Sequence, residues 1–143
     1  GVFVFFNLFQ MGLGVCEFSD IGLSVLSTVI SHNYAHNRLI IDAGGLALSK
    51  DHGTASQKVD CAYGLVGQAE TGERIPGLQV VAANQEHGLI KLKDKSDFAS
   101  FPIGSLLRIY PNHACMTAAA HKHYYVIDGS DEIVDTWERC HGW

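Results

Sequence analysis

The sequence predicts one all-β domain over residues 1–143, built as a Greek-key-like barrel or sandwich. Short segments rich in β-branched and aromatic residues recur along the chain, separated by turns that contain Gly, Asn and Asp. No stretch keeps a 3.6-residue apolar period, which argues against a helical core. With 143 residues, of which 47% are hydrophobic, the chain can bury one core and not two.

Nine segments have the length and composition of strands. They are Val2–Phe6, Ser24–Ser31, Arg38–Asp42, Gly64–Gly67, Leu78–Ala83, Leu89–Leu92, Leu106–Tyr110, Tyr124–Asp128 and Glu132–Thr136. The last two flank the turn sequence DGSD, and we expect them to form a hairpin.

Two segments need a separate argument. The apolar start, VFVFF, is expected to be a buried strand, because no basic residue leads it and acidic residues follow too soon for a membrane span. The segment MTAAAHKH, residues 116–123, is the best candidate for a short helix, since its three alanines favour helix and Thr117 could cap it.

Charge and cysteine content limit the partners and the compartment. A net charge of −5, without a cluster of basic residues, argues against a nucleic-acid partner, and no segment predicts a membrane anchor. No CxxC spacing occurs among Cys16, Cys61, Cys115 and Cys140, so we expect reduced thiols and a cytoplasmic protein. The chain begins with glycine instead of methionine, which indicates a piece of a longer protein.

The stretch YPNHACMTAA, residues 110–119, contains the main site candidates, His113 and Cys115. If the chain is extended here, residues two apart point to the same face. An imidazole nitrogen and a thiolate sulfur together suit zinc, and two protein ligands leave positions open, as in a catalytic site. The residues alone leave two alternatives: a buried cysteine beside a hydrogen-bonded histidine, or a redox-sensitive Cys115 thiol.

A second candidate pair is Glu86 and His87, in NQEHGLI. A carboxylate beside an imidazole can orient it, but neighbours on a strand face opposite ways. We expect His32 and His36 to lie in a loop and the Ser49-Lys50-Asp51 run to be solvated. His121 and His123 are expected in a surface turn, and Cys140 with His141 in a packing segment.

Six blocks, taken in order, resemble a known family. They are GVFVFFNLFQMGLG, VLSTVIS, LIIDAGGLALSKDHG, NQEHGLI, IYPNHACMTAAAHKHYYVIDG and WERCHGW. The chain resembles, over its whole length, the C-terminal part of the D-serine dehydratase / D-threonine aldolase-like family. These are pyridoxal-phosphate enzymes of the alanine-racemase fold type.

The resemblance implies a set of site residues. His113 and Cys115 match the family's NHxC motif, whose histidine and cysteine bind a divalent metal beside the cofactor. Glu86 and His87 match its EHG stretch and are expected near the metal, as outer support. Aldolases tend to carry aspartate where Cys115 stands, which favours a dehydratase and zinc. His141 stands where the family usually has a basic residue, which leaves a terminal ion pair in doubt.

The resemblance also implies the function. The full-length enzyme would be a lyase that converts D-serine to pyruvate and ammonia, with a D-threonine aldolase-type reaction as the alternative. An N-terminal barrel carrying the cofactor lysine is expected to be absent here, so the catalytic and cofactor-binding residues lie elsewhere and the fragment is expected to be inactive alone. A homodimer is expected. A stand-alone, non-catalytic β-domain binding module remains the competing hypothesis.

Overall fold

The computed structural model describes residues 2–140, and its centre is a closed antiparallel barrel of six strands. The strands are β1 (Val25–Asn33), β2 (Arg38–Ile41), β3 (Leu65–Gln68), β4 (Arg74–Ala83), β5 (Gly88–Lys91) and β6 (Leu106–Tyr110). They pair in the order β1-β2-β5-β4-β3-β6, and β6 returns to pair with β1. The prediction of an all-β barrel is confirmed.

The core lies inside the barrel because alternate side chains of each strand point to opposite faces. Val66 on β3 and Ile109 on β6 are fully buried in the main core. Their neighbours Leu65 and Tyr110 point to the other side, where they form a second cluster with Leu8. The N-terminal segment therefore covers part of the outer wall of the barrel.

The first predicted strand, Val2–Phe6, is wrong: this segment forms a short helix, α1 (Val2–Phe5). The Phe6 N–H donates to the carbonyl of Val2 at 2.7 Å. Every strand of a closed barrel is already paired on both sides, so the barrel offers no free edge to another strand. The segment is not buried either: Phe3 is 84% exposed and Val4 is 70% exposed.

Three further helices complete the outer layer. They are α2 (Leu8–Gly12), α3 (Gly45–Leu48) and α4 (Ala114–Ala119); short 3-10 helices span Phe18–Asp20, Gly53–Ser56 and Lys95–Ser100. The helix predicted over residues 116–123 thus begins earlier, and His113 is the residue before its first turn. Thr117 is not the cap, because its buried hydroxyl donates to the carbonyl of Leu48 at 3.1 Å and joins α4 to the end of α3.

The predicted hairpin is confirmed as a separate two-stranded sheet of β7 (His123–Ile127) and β8 (Ile133–Glu138). Every residue of β8 is exposed. The Tyr124 ring packs on Phe5 with 5.2 Å between ring centroids. Arg139 donates to the carbonyls of Ala118 and His121, which ties the end of the hairpin to α4.

Two general features bear on the class of protein. None of the helices between residues 2 and 140 is long and apolar enough to cross a bilayer. All four cysteines are free thiols: Cys16 is partly buried, Cys61 is buried, and Cys115 and Cys140 are exposed. The expectation of unpaired cysteines therefore agrees with the fold.

Two buried groups predict how the fold responds to alkaline pH. Burial raises the pKa of the Cys61 thiol and of the Tyr110 hydroxyl, against smaller lowering effects of Arg74 and Arg108 respectively. Both groups ionise more easily in the unfolded chain. The free energy of unfolding therefore keeps its full value at neutral pH and falls above about pH 9. Urea unfolding at increasing pH should show this loss, and Tyr110→Phe should reduce its slope. An equal change in the control Tyr125→Phe, at an exposed tyrosine, would contradict the assignment.

Candidate metal site

His113 and Cys115 lie at the junction between β6 and α4. His113 has extended backbone angles, φ −135° and ψ 97°, whereas Cys115 belongs to the first turn of α4. The expectation of an extended chain through both residues is therefore wrong for Cys115. The two side chains are related by the turn from an extended residue into a helix, not by the alternation of a strand.

A carboxylate holds one side of the His113 ring. Nδ1 of His113 lies 3.1 Å from Oδ2 of Asp51, which comes from the loop after α3. An ionised carboxylate can only accept a hydrogen bond, so Nδ1 is the nitrogen that carries the proton. The lone pair of a neutral ring is then on Nε2. Histidines that bind metals usually donate their other ring N–H in this way.

Asn112 fixes the loop that carries this carboxylate. Its side chain is 1% exposed, and its amide N–H groups donate to the carbonyls of Asp51, at 2.8 Å, and Ala62, at 2.5 Å. Its Oδ1 accepts from the buried Thr54 hydroxyl at 3.1 Å. The Thr54 oxygen in turn accepts from the backbone N–H of Cys61. One buried residue therefore joins three segments immediately before His113.

The donor set of the pair fits a divalent metal ion. Both side chains are open to solvent: that of His113 is 38% exposed, and Cys115 is exposed. Imidazole nitrogen and thiolate sulfur are ligands that zinc accepts. Within residues 2–140 no group of three or more His, Cys, Asp or Glu side chains is arranged to hold a metal ion. The candidate in the described chain is thus the pair.

Glu86 and His87 lie in the loop between β4 and β5, against the start of α3. The backbone N–H of Gly45 donates to the carbonyl of Asn84 at 2.7 Å, and the Glu86 carboxylate accepts from Gln85. The side chain that the structure shows hydrogen-bonded to His113 is that of Asp51. A role for Glu86 and His87 as outer support of a metal stays a prediction.

Other candidate residues have structural partners. The rings of His121 and His32 donate through Nε2 to the carbonyls of Ala47 and Phe101, at 3.0 and 2.7 Å. His36 contacts the side chain of Asn33. His121 and His32 therefore join distant segments of the fold, whereas His36 contacts a residue of its own turn. Of the closing WERCHGW segment, His141 lies outside the described residues.

Asp51 is the functional candidate that sequence reasoning missed. We expected the Ser49-Lys50-Asp51 run to be solvated, but the Asp51 side chain is only 21% exposed and contacts His113. Ser49 and Lys50 have positive φ angles of 76° and 49°, which turn the chain sharply at the end of α3. No local pattern in the sequence marks this contact, because the two residues are 62 positions apart.

The comparison with family models gives the class of this protein. The model of the putative serine dehydratase domain matches residues 22–127, which include the barrel, His113 and Cys115. The chain belongs to this family, as its resemblance predicted.

Curated relatives name the reactions found among similar chains. D-threo-3-hydroxyaspartate dehydratase of Delftia sp. is 47% identical over all of this chain and 38% of its own length. D-serine dehydratase of Dictyostelium discoideum is 36% identical, again over the whole of this chain and 36% of its own length. The chain therefore spans little more than a third of the length of these relatives.

Solved structures have the same fold. A metal-free Cys-to-Ala mutant of D-threo-3-hydroxyaspartate dehydratase matches all of this chain and 38% of its own, with a TM-score of 0.93 and 44% identity. A His-to-Ala mutant of that enzyme matches all of this chain and 37% of its own, with a TM-score of 0.92 and 45% identity. The two mutated positions are two residues apart, like His113 and Cys115. An alanine-racemase-like protein of Idiomarina loihiensis matches all of this chain and 38% of its own, with a TM-score of 0.90 and 46% identity. This match confirms the predicted fold type.

Some relatives are close in length to this chain. An uncharacterized protein of Mycobacterium tuberculosis is 26% identical over 133 residues, which cover 90% of this chain and 90% of its own. The relatives of this chain thus include long proteins and at least one protein close to the length of this domain.

Proposed function

We propose that this chain is the metal-bearing domain of a pyridoxal-phosphate-dependent D-amino-acid lyase, a dehydratase that acts on D-serine or on a D-amino acid with the same β-hydroxyl group. The observation that carries the proposal is the His113–Cys115 pair, with Asp51 bonded to the far side of the imidazole. The spacing of the two positions mutated in the hydroxyaspartate dehydratase supports it. The names of the relatives favour dehydration over the aldolase alternative.

In this proposal each residue has a simple task. His113 offers Nε2 and Cys115 offers its thiolate to a divalent ion, which we propose to be zinc. When bound, zinc would supply a Lewis acid for the departing hydroxyl oxygen, and pyridoxal phosphate would supply the sink for electrons from the amino acid. The exposure of both side chains leaves room for substrate on the open side of the pair.

We further propose that the domain works beside an N-terminal barrel, in a cytoplasmic homodimer. Trp137 and Val134 on β8 are 50% and 60% exposed, and every residue of that strand is exposed. A two-stranded sheet with apolar residues exposed on both faces is only marginally stable by itself, so contact with another domain or subunit would stabilise it. Four free thiols support a reducing compartment.

Metal content is the first test. We expect the purified protein to hold close to one equivalent of zinc and the His113→Ala/Cys115→Ala variant to lose it, because no donor of the pair then remains. The matched control, His36→Ala/Cys140→Ala, also removes one imidazole and one thiol, both exposed, and should keep the metal. Elemental analysis measures all three proteins.

Two results would contradict the proposal. If zinc is absent from the parent protein, or is retained in the His113→Ala/Cys115→Ala variant, the proposed metal-binding role of the pair is wrong. Formation of pyruvate from D-serine by the isolated chain would contradict the proposal that a separate barrel carries the cofactor lysine. We expect no such turnover, measured by coupled reduction of pyruvate.

The second candidate function is a stand-alone binding module of the same fold. The Mycobacterium tuberculosis relative favours it, because this chain covers 90% of that protein. The mass of the natural polypeptide, measured in its source cells, separates the two: a chain of about this length supports the module, and a chain more than twice as long supports the lyase.

A further inference from the structure

The carboxylate of Asp51 makes two different contacts with its two oxygens. Oδ1 accepts from the backbone N–H of Gly53 at 2.6 Å, which fixes the carboxylate within its own loop. Oδ2 faces Nδ1 of His113 at 3.1 Å. Because the first contact sets the direction of the second, the imidazole meets an acceptor in a fixed position.

The backbone of Asp51 is held from the other side as well. Its carbonyl accepts from Asn112, the buried neighbour of His113 in sequence. Side chain and backbone of Asp51 thus contact two consecutive residues, and the loop cannot move away from the histidine without breaking both bonds. Such a double connection is the feature expected of a group that orients a ligand.

We propose that Asp51 is the positioning residue of the metal site: it holds the His113 ring as the Nδ1–H tautomer and so leaves Nε2 free for the ion. The part of this inference that concerns the ion rests on the proposed function. The tautomer itself is a property of the metal-free protein, so it can be tested even if no metal binds.

A purely structural role would have a different consequence. A partly exposed contact between a carboxylate and an imidazole contributes little to stability, so removing it should barely change the unfolding of the domain. Removing the partner that orients a metal-binding histidine typically weakens metal affinity by about 10- to 100-fold. Affinity and tautomer therefore distinguish a positioning role from a simple surface contact.

Asp51→Asn is the sharpest variant. The amide oxygen can still accept from Gly53, and the amide N–H₂ then faces Nδ1 of His113. That group donates, so Nδ1 must accept and the ring proton moves to Nε2, the nitrogen proposed for the metal. We expect a change of the His113 tautomer and a zinc affinity about 10- to 100-fold weaker.

Asp60→Asn is the matched control. It removes the same charge from a nearby exposed carboxylate, whose Oδ1 accepts from the backbone N–H of Ala62 at 2.8 Å, and an amide oxygen can keep that bond. Long-range proton–nitrogen NMR spectra of the metal-free proteins, assigned with His113→Ala, give the tautomer. Competition with a zinc chelator gives the affinity, and thermal unfolding checks the fold.

The outcomes separate the two proposals. An Nδ1–H ring in the parent protein that becomes Nε2–H only in Asp51→Asn supports the positioning role, whatever the metal content. An unchanged tautomer, or a zinc affinity reduced equally by Asp60→Asn, would overturn it. If the parent protein binds no zinc while the tautomer changes as expected, the proposed function fails and the role of Asp51 as orienting group stands.

Discussion

Gly44→Ala is expected to lower the free energy of unfolding by about 3 kcal/mol. A Cβ at this position would lie 2.4 Å from the carbonyl carbon of Glu86 and from the backbone nitrogen of His87, and 2.6 Å from the carbonyl oxygen of Gln85. All three are backbone atoms, so no side-chain rotation can relieve the overlap. The turn before α3 or the loop after β4 must move.

Neither segment can move without losing hydrogen bonds. The backbone N–H groups of Gly45 and Leu46 donate to the carbonyls of Asn84 and Gln85, at 2.7 and 3.1 Å. Displacement of α3 would also shift the loop that leads to Asp51. We therefore expect weaker zinc binding together with the loss of stability.

Gly22→Ala is the control for Gly44→Ala. A Cβ at Gly22 would be 3.8 Å from its nearest neighbours, an ordinary contact, and its backbone does not need a positive φ. This variant should be within about 0.5 kcal/mol of the parent protein in urea unfolding. Equal stability of the Gly44 and Gly22 variants would show that the loop after β4 yields at little cost, contrary to our expectation.

Asn112→Ala is expected to lower the free energy of unfolding by about 2–4 kcal/mol. It removes both amide donors and leaves the carbonyls of Asp51 and Ala62 without them. The Thr54 hydroxyl is less affected, because Oδ1 of Asp60 lies 3.4 Å away and can accept instead. Two unsatisfied carbonyls therefore account for most of the loss.

The same variant should also weaken zinc binding, since Asn112 connects the loop of Asp51 to His113. Urea unfolding and chelator competition measure the two effects. Asn84→Ala is the control, at an exposed asparagine whose backbone carbonyl accepts from Gly45 and is retained in the variant. If Asn112→Ala unfolds like Asn84→Ala, the buried network contributes less than its hydrogen bonds indicate.

The strands could be predicted because their signal is local. A short apolar and aromatic run between turn residues predicted Leu106–Tyr110 with both of its bounds, and the DGSD turn predicted the hairpin. The start of the chain, VFVFF, also has a composition typical of strands, but it is helical. Its conformation depends on the closure of the barrel, which no local pattern in VFVFF records.

The site could be predicted only in part, for the same reason. His113 and Cys115 are near neighbours, so their spacing and the NHxC motif point to them directly. Asp51 reaches His113 through the fold, across 62 positions of sequence and by way of Asn112. Thr117 was expected to act on its own helix, but tertiary contact directs its hydroxyl to Leu48. Residues that act at a distance in sequence need the packed structure to be found.

The pairing of β1 has a consequence for the order in which the domain folds. β2 is its neighbour in sequence, but its other partner is β6, where Val25 pairs with Ile109. During synthesis β1 can therefore pair on one side at most until β6 has emerged. Pairing β6 with β1 closes the longest loop of the barrel, so it has the largest entropic cost of loop closure. We therefore expect the pairing of β1 with β6, and not the formation of the individual hairpins, to set the folding rate.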